Sequence, residues 1–187
     1  MAPQHNGVRQ ANTRPLSMLP DLLTRRLNLV VCGTGAGTRS AQLGQYYAGP
    51  GNRFWPMLAH VGLTPEALTP SDFERLPGFG IGLTDLVKEE AGSDRDLRFS
   101  PADALTLRMK IMLYQPRYFC FNGKRAAQEF FRHHEIEYGV QASRLGRTVL
   151  YVAPSTSRAA NGSWDVSVWH DLAARVSRLR RTAPIHT

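Results

Sequence analysis

Only two cysteines occur in the chain, Cys32 and Cys120, and neither belongs to a CxxC pair. A disulfide framework, an iron-sulfur cluster and a cysteine-bound metal are therefore not expected, and both residues read as small buried side chains inside apolar runs. No apolar stretch approaches the roughly 20 residues needed to span a bilayer, and the opening MAPQHNGVRQANTRP carries no apolar segment of the secretory kind. The expectation is a cytoplasmic protein with no membrane partner. H-E-x-x-H and nucleophile-elbow patterns are absent, which removes support for metal hydrolysis and serine-type acyl transfer. GTGAGT lacks the third glycine of G-x-G-x-x-G, and no Lys-Ser/Thr pair follows it as in a P-loop. Internal repeats and low-complexity tracts are also missing. Acidic residues are scarce: 15 Asp and Glu face 23 Lys and Arg, for a net charge of +8 and a pI near 10.1. That balance favours a polyanionic partner, nucleic acid first, although Arg9, Arg14, Arg25, Arg26, Arg178, Arg180 and Arg181 place part of the excess outside the core.

What is present is one domain's worth of alternating strand and helix signals. Residues 1–20 read as a flexible N-terminal arm, 21–181 as a single domain and 182–187 as a tail. Leu29 to Cys32 is continuously apolar, as a strand covered on both faces should be. Phe54 to Gly62 reads as a helix with Pro56 in its first turn, and Gly80 to Leu86 as a short strand or buried loop. Ser100, Pro101 and Asp103 form a capping-box start, and Leu105, Met109 and Met112 make an apolar stripe expected to face the core. Arg117 to Phe121 and Thr148 to Ala153 read as strands, Lys124 to about His133 as a helix. A last helix carries Val168, Leu172, Val176 and Leu179 on one face. His133 and His134 are adjacent and point apart, which suits solvent better than a metal. The alternation predicts a three-layer α/β/α sandwich around a mainly parallel sheet of about four strands.

Four clusters fall near the carboxyl ends of the expected strands, where open α/β sheets bind ligands: GTGAGTRSA, YYAGPGNRFW, GIGLTDL and APSTSRAA. With LPGFGIGLTDLV and QPRYFCFNGK, they make the chain resemble the thymine-DNA glycosylase and mismatch-specific uracil-DNA glycosylase family of the uracil-DNA glycosylase superfamily, over roughly residues 27–180. The resemblance implies that a base rotated out of duplex DNA stacks on Tyr47, with Asn52 presenting its amide to a base edge and Thr34, Ser40 and Tyr46 lining the same pocket. It further implies that Ser155, Thr156 and Ser157 hold phosphates and that Arg158 fills the space the base leaves, a task suited to a bulky cation that stacks and meets phosphates. Arg39, Arg53 and Lys124 are candidate phosphate contacts. The implied partner is DNA with a damaged or mismatched base, read by a monomer in a bacterial-type, nucleoid-associated setting, with no cofactor and no metal.

The chain departs from that family in its first motif. Where relatives carry an Asn that positions the attacking water, Gly35 stands here, followed by Ala36 in place of Pro. Gly35 offers only its backbone, and the missing side chain is expected to enlarge the pocket floor. Asp85, in GIGLTDL, is then the candidate to orient or activate water and to stabilise the charge developing on the sugar. The expected activity is hydrolysis of the N-glycosidic bond of uracil, hypoxanthine or an etheno adduct, leaving an abasic site. No Lys lies in these motifs, so a Schiff-base lyase step is not indicated. The alternatives are a non-catalytic binder of mismatched or abasic DNA and an enzyme acting on free nucleotides.

Overall fold

The computed structural model describes residues 19–182. Its elements follow in the order β1 (Leu29–Gly33), α1 (Thr38–Leu43), α2 (Phe54–His60), a 3₁₀ segment (Pro70–Phe79), β2 (Ile81–Asp85), α3 (Pro101–Tyr114), β3 (Tyr118–Asn122), α4 (Lys124–Phe131), β4 (Gly139–Leu145), β5 (Thr148–Ala153) and α5 (Val166–Thr182). The five strands form one sheet in the order β2-β1-β3-β5-β4. The first four pair in parallel, and β4 closes the edge antiparallel to β5.

Alternation along the central strands divides the core into two faces. Leu29, Val31, Cys120, Tyr151 and Ala153 pack with Phe54, Trp55, Leu58, Trp169, Leu172 and Val176, covering one face with α2 and α5. Val30, Cys32, Phe119, Phe121, Leu150 and Val152 pack with Leu107, Ile111, Ala126, Ala127 and Phe130, covering the other with α3 and α4. Because both faces are dry, these strands read as unbroken apolar runs. The three-layer architecture is the one expected.

Several expectations need correction. The sheet has five strands rather than about four, because β4 is a polar edge strand, exposed at Val140 and again at Ala142, Ser143 and Arg144. On α3 the capping box at Ser100 and Asp103 forms, but the helix buries Ala104, Leu107 and Ile111. The stripe assigned to the core, Leu105, Met109 and Met112, faces out at 46–59% exposure. Residues 1–18 of the expected arm and 183–187 of the tail lie outside the described residues. Leu19 and Pro20, also given to the arm, belong to the fold: Leu19 is buried and the Pro20 carbonyl accepts a hydrogen bond from Tyr46. Among the described residues, no helix is long and apolar enough to cross a membrane.

Candidate active site

Parallel register brings four strand ends to one level. Gly33 pairs with Asp85 across β1 and β2, Cys32 with Phe121 across β1 and β3, and Asn122 with Ala153 across β3 and β5. The connections from β1 run first to β2 on one side and later to β3 on the other, so a crevice opens where the strand order reverses. The cleft there holds about 600 Å³. Thr34, Gly35, Ser40, Tyr46, Tyr47 and Asn52 line it from the first loop and Asp85 from the end of β2, with Lys124, Ser155, Thr156, Ser157 and Arg158 opposite. Sequence clusters separated by up to about 120 positions thus meet in one place.

Asp85 occupies the floor and is almost fully buried, at 4% exposure. A Cβ on Gly33 would stand 2.6 Å from Asp85 Oδ1 and 3.5 Å from Tyr47 Oη, so glycine lets the carboxylate and the phenol approach the end of β1. Burial pushes the Asp85 carboxyl up to about 6; the Asp21 charge adds to this, while Lys88 and Lys110 oppose it. Those three charges form a knot behind the floor. Lys88 Nζ lies 2.9 Å from Asp21 Oδ1 and Lys110 Nζ 2.6 Å from Asp21 Oδ2, and Thr84 donates to Asp21 at 2.7 Å. Burial acts to raise the Asp21 carboxyl, but its bonds to Lys110, Lys88 and Thr84 win and hold it below the ordinary carboxylate range.

Tyr47 is half-buried, with its ring 4.0 Å from that of Phe54 at an interplanar angle of 31°. Its backbone is left-handed, with φ of 55°. That uncommon conformation directs the ring into the cleft wall at some cost in strain. The hydroxyl is buried without a well-aligned hydrogen-bond partner, and burial together with the Asp85 charge drives its pKa well up. Asn52 uses Oδ1 to accept from the Phe54 N–H at the start of α2, 3.0 Å away, which leaves its amide nitrogen as the donor to offer. Ser40 and Tyr46 serve the scaffold. Ser40 Oγ accepts from the Ala48 N–H, and the buried Tyr46 hydroxyl donates to Pro20 and accepts from Lys88.

The opposite wall is organised by Asn122. Its Nδ2 donates to Thr156 Oγ1 at 2.9 Å and its Oδ1 accepts from the Thr156 N–H at 3.0 Å. Thr156 is fully buried, and this pair of bonds makes it the anchor of the loop. Ser155 and Ser157 remain partly exposed and bonded to each other. The exposed Arg158 lies over Gly51, its Cδ 3.1 Å from where a Cβ would be. Lys124 lines the wall with its ammonium 4.7 Å from the Tyr138 ring. Arg53 does not line the cleft: its N–H donates to the Thr156 carbonyl, and its guanidinium sits 5.1 Å from the Trp164 ring with Nη1 buried and unpaired. Arg39 is exposed on α1, also outside the cleft lining.

Gly35 does not widen the floor. A Cβ there would meet Leu97 Cδ1 at 2.8 Å and the Val87 carbonyl at 3.4 Å, so the space is filled by a buried leucine. Leu97 belongs to a segment laced to the first loop: Leu86 N–H donates to Gly33, Val87 N–H to Thr34 and Gly92 N–H to Ala36. Thr34 also donates to Asp94 at 2.5 Å. This strap, with Ser93, Asp94 and Arg95 on the cleft, was not anticipated from sequence because its polar EEAGSDRD stretch reads as an exposed loop. Asn122 was missed as well, although a lone Asn ending an apolar strand in FNGK is a legible signal.

An α/β/α sandwich with its cleft at the carboxyl ends of parallel strands, a buried carboxylate on the floor and serine-rich and basic side chains on one wall defines the class. The chain matches the Uracil DNA glycosylase superfamily over residues 20–173 and belongs to that superfamily. Among solved structures, it is similar to the solution structure of a putative uracil DNA glycosylase from Methanosarcina acetivorans, at 20% identity and a TM-score of 0.52, covering 88% of this chain and 98% of that one. At that identity the likeness concerns the fold.

Proposed function

We propose that this protein is a monofunctional, mismatch-directed DNA glycosylase that extrudes a deaminated or otherwise altered base and hydrolyses its N-glycosidic bond with water. Superfamily membership supports the general activity. The observation that carries the mechanism is Asp85, buried on the cleft floor with its carboxyl pushed up to about 6. Such a group is ionised at neutral pH yet basic enough to accept a proton from water, and a general base of this kind contributes about 10²–10⁴ in rate. As an anion in a dry site it also stabilises positive charge developing on the sugar.

The remaining side chains fit roles around that step. The extruded base lies against Tyr47, whose ring is backed by Phe54 and Tyr46, and the free Asn52 amide nitrogen donates to a carbonyl oxygen on the base edge. Uracil and hypoxanthine both offer such a carbonyl. Ser155, Ser157 and Lys124 grip phosphates, and Arg158 enters the stack.

The test uses duplex oligonucleotides bearing one uracil, hypoxanthine or thymine mismatch, followed by alkaline cleavage at abasic sites. The expected result is release by the wild type and a 10²-fold or greater loss of single-turnover rate for Asp85→Asn. Unchanged excision in that variant rejects Asp85 as the base. Tight binding without release would instead favour a mismatch or abasic-site binder, a reading to which the bare backbone at Gly35 lends some weight.

A further inference from the structure

At the amino ends of the strands, the pole opposite the cleft, a second groove of about 1000 Å³ runs between the segment before β1, the end of α3 and the β4–β5 turn. Arg25, Arg26, Arg117 and Arg147 line it, and all four are exposed. Among the described residues none of them forms an ion pair; Arg147 reaches only the Gln115 side chain, at 3.4 Å. Gln115, also in the groove, is the left-handed cap that ends α3, its N–H donating to the Ile111 carbonyl. Met112 and Leu113 continue the wall and lead into the outward stripe of α3, where Leu105, Met109, Met112 and Leu113 are 46–59% exposed. Spaced at i, i+4, i+7 and i+8, they form one aliphatic row along the helix.

We propose that this groove and row together dock an amphipathic helix of a partner protein, with its apolar side chains along α3 and its acidic residues in the arginine groove. Guanidinium forks take carboxylates in bidentate fashion, and the two methionines adapt to varied apolar partners. A nucleic acid would satisfy the arginines but leave the aliphatic row wet. A second copy of the chain carries the same +8 charge and is repelled, and residues 1–18 contain no Asp or Glu with which to pair the arginines. None of these groove or stripe residues lines the cleft, so docking here leaves the base pocket free.

The experiment places a photo-cross-linking residue at one position, Met109→benzoylphenylalanine, in the full chain produced in its native host, and sequences the peptide attached after irradiation. The expected adduct is with another protein, at a segment carrying Asp or Glu within two helical turns of the attachment point. Its yield should fall at least tenfold with Arg25→Glu plus Arg147→Glu, while uracil excision or lesion binding by the same variant stays unchanged. If charge reversal lowers the melting temperature sharply, Arg25→Gln plus Arg147→Gln replaces it, with a smaller loss of adduct expected. No adduct, an adduct only with nucleic acid, with a second copy or with residues 1–18, or an adduct indifferent to the arginine substitutions overturns the proposal.

Discussion

Burial governs what Asp85 can do and what it costs. In the unfolded chain this carboxyl titrates near 3.8, whereas in the fold it is pushed up to about 6, so the folded state favours the proton. Stability from this group is complete below pH 3.8 and is lost as pH rises through 6. Asp85→Asn should therefore be more stable than the wild type at pH 8, by roughly 3 kcal/mol, and no more stable at pH 3.5; thermal melts at the two pH values check this. If Asp85 is the base, single-turnover excision should rise with pH through a midpoint near 6, and this limb should vanish in the Asn variant. A variant more stable yet nearly inert is the expected mark of a group kept for chemistry. Gly35 makes the opposite point. Restoring the amide that relatives carry there, Gly35→Asn, drives a side chain into Leu97, and overpacking of this kind costs about 1–3 kcal/mol. A lower melting temperature with no gain in excision is expected, and a faster enzyme would show that the strap yields. At Tyr47 the hydroxyl has no well-aligned partner, so Tyr47→Phe should leave stability within about 0.5 kcal/mol. Tyr47→Ala, which also strips the ring from Phe54, should lower both stability and excision.

Asn122 ties β3 to the loop after β5, and the wall of the cleft depends on that tie. Asn122→Ala would leave the buried Thr156 N–H and hydroxyl without their partners, at about 1–3 kcal/mol for each unsatisfied group. The Thr156 amide should then exchange hydrogen faster, and DNA affinity should fall. Legibility in sequence followed the same division between buried and exposed elements. β1, β3 and β5 were readable because both faces are dry and the apolar runs unbroken, and the bounds of β5 agree from end to end. β4 was hidden, since an edge strand of polar residues resembles a loop. On α3 the helix was evident but not its rotation: the row of larger side chains, Leu105, Met109 and Met112, competed with Ala104, Leu107 and Ile111, and the row with the smaller first member faces the sheet. The cleft residues were largely legible because they follow strand ends in compact motifs. The inward bonds of Thr156 and the stacking of Arg53 on Trp164 were not legible, because sequence does not say which way a polar side chain turns. Leu97 and the strap were invisible since their contacts to Gly35 and Thr34 cross some 60 positions.

Positive charge is distributed over two poles, and DNA binding should sense only one of them. Affinity for a lesion-bearing duplex is expected to fall linearly with the logarithm of salt, with Arg158→Ala and Lys124→Ala each lowering the slope by about one. Arg25→Glu should change it little, since that residue lies at the far end of the sheet. The levelled strand ends carry a wider implication. Gly33 is paired with Asp85, Cys32 with Phe121 and Asn122 with Ala153 in consecutive parallel ladders, so the cleft floor is a stiff platform. A duplex meeting such a rigid template must undergo nearly all the distortion itself, and the ease with which a given base pair breaks open becomes the first filter on which bases are ever inspected.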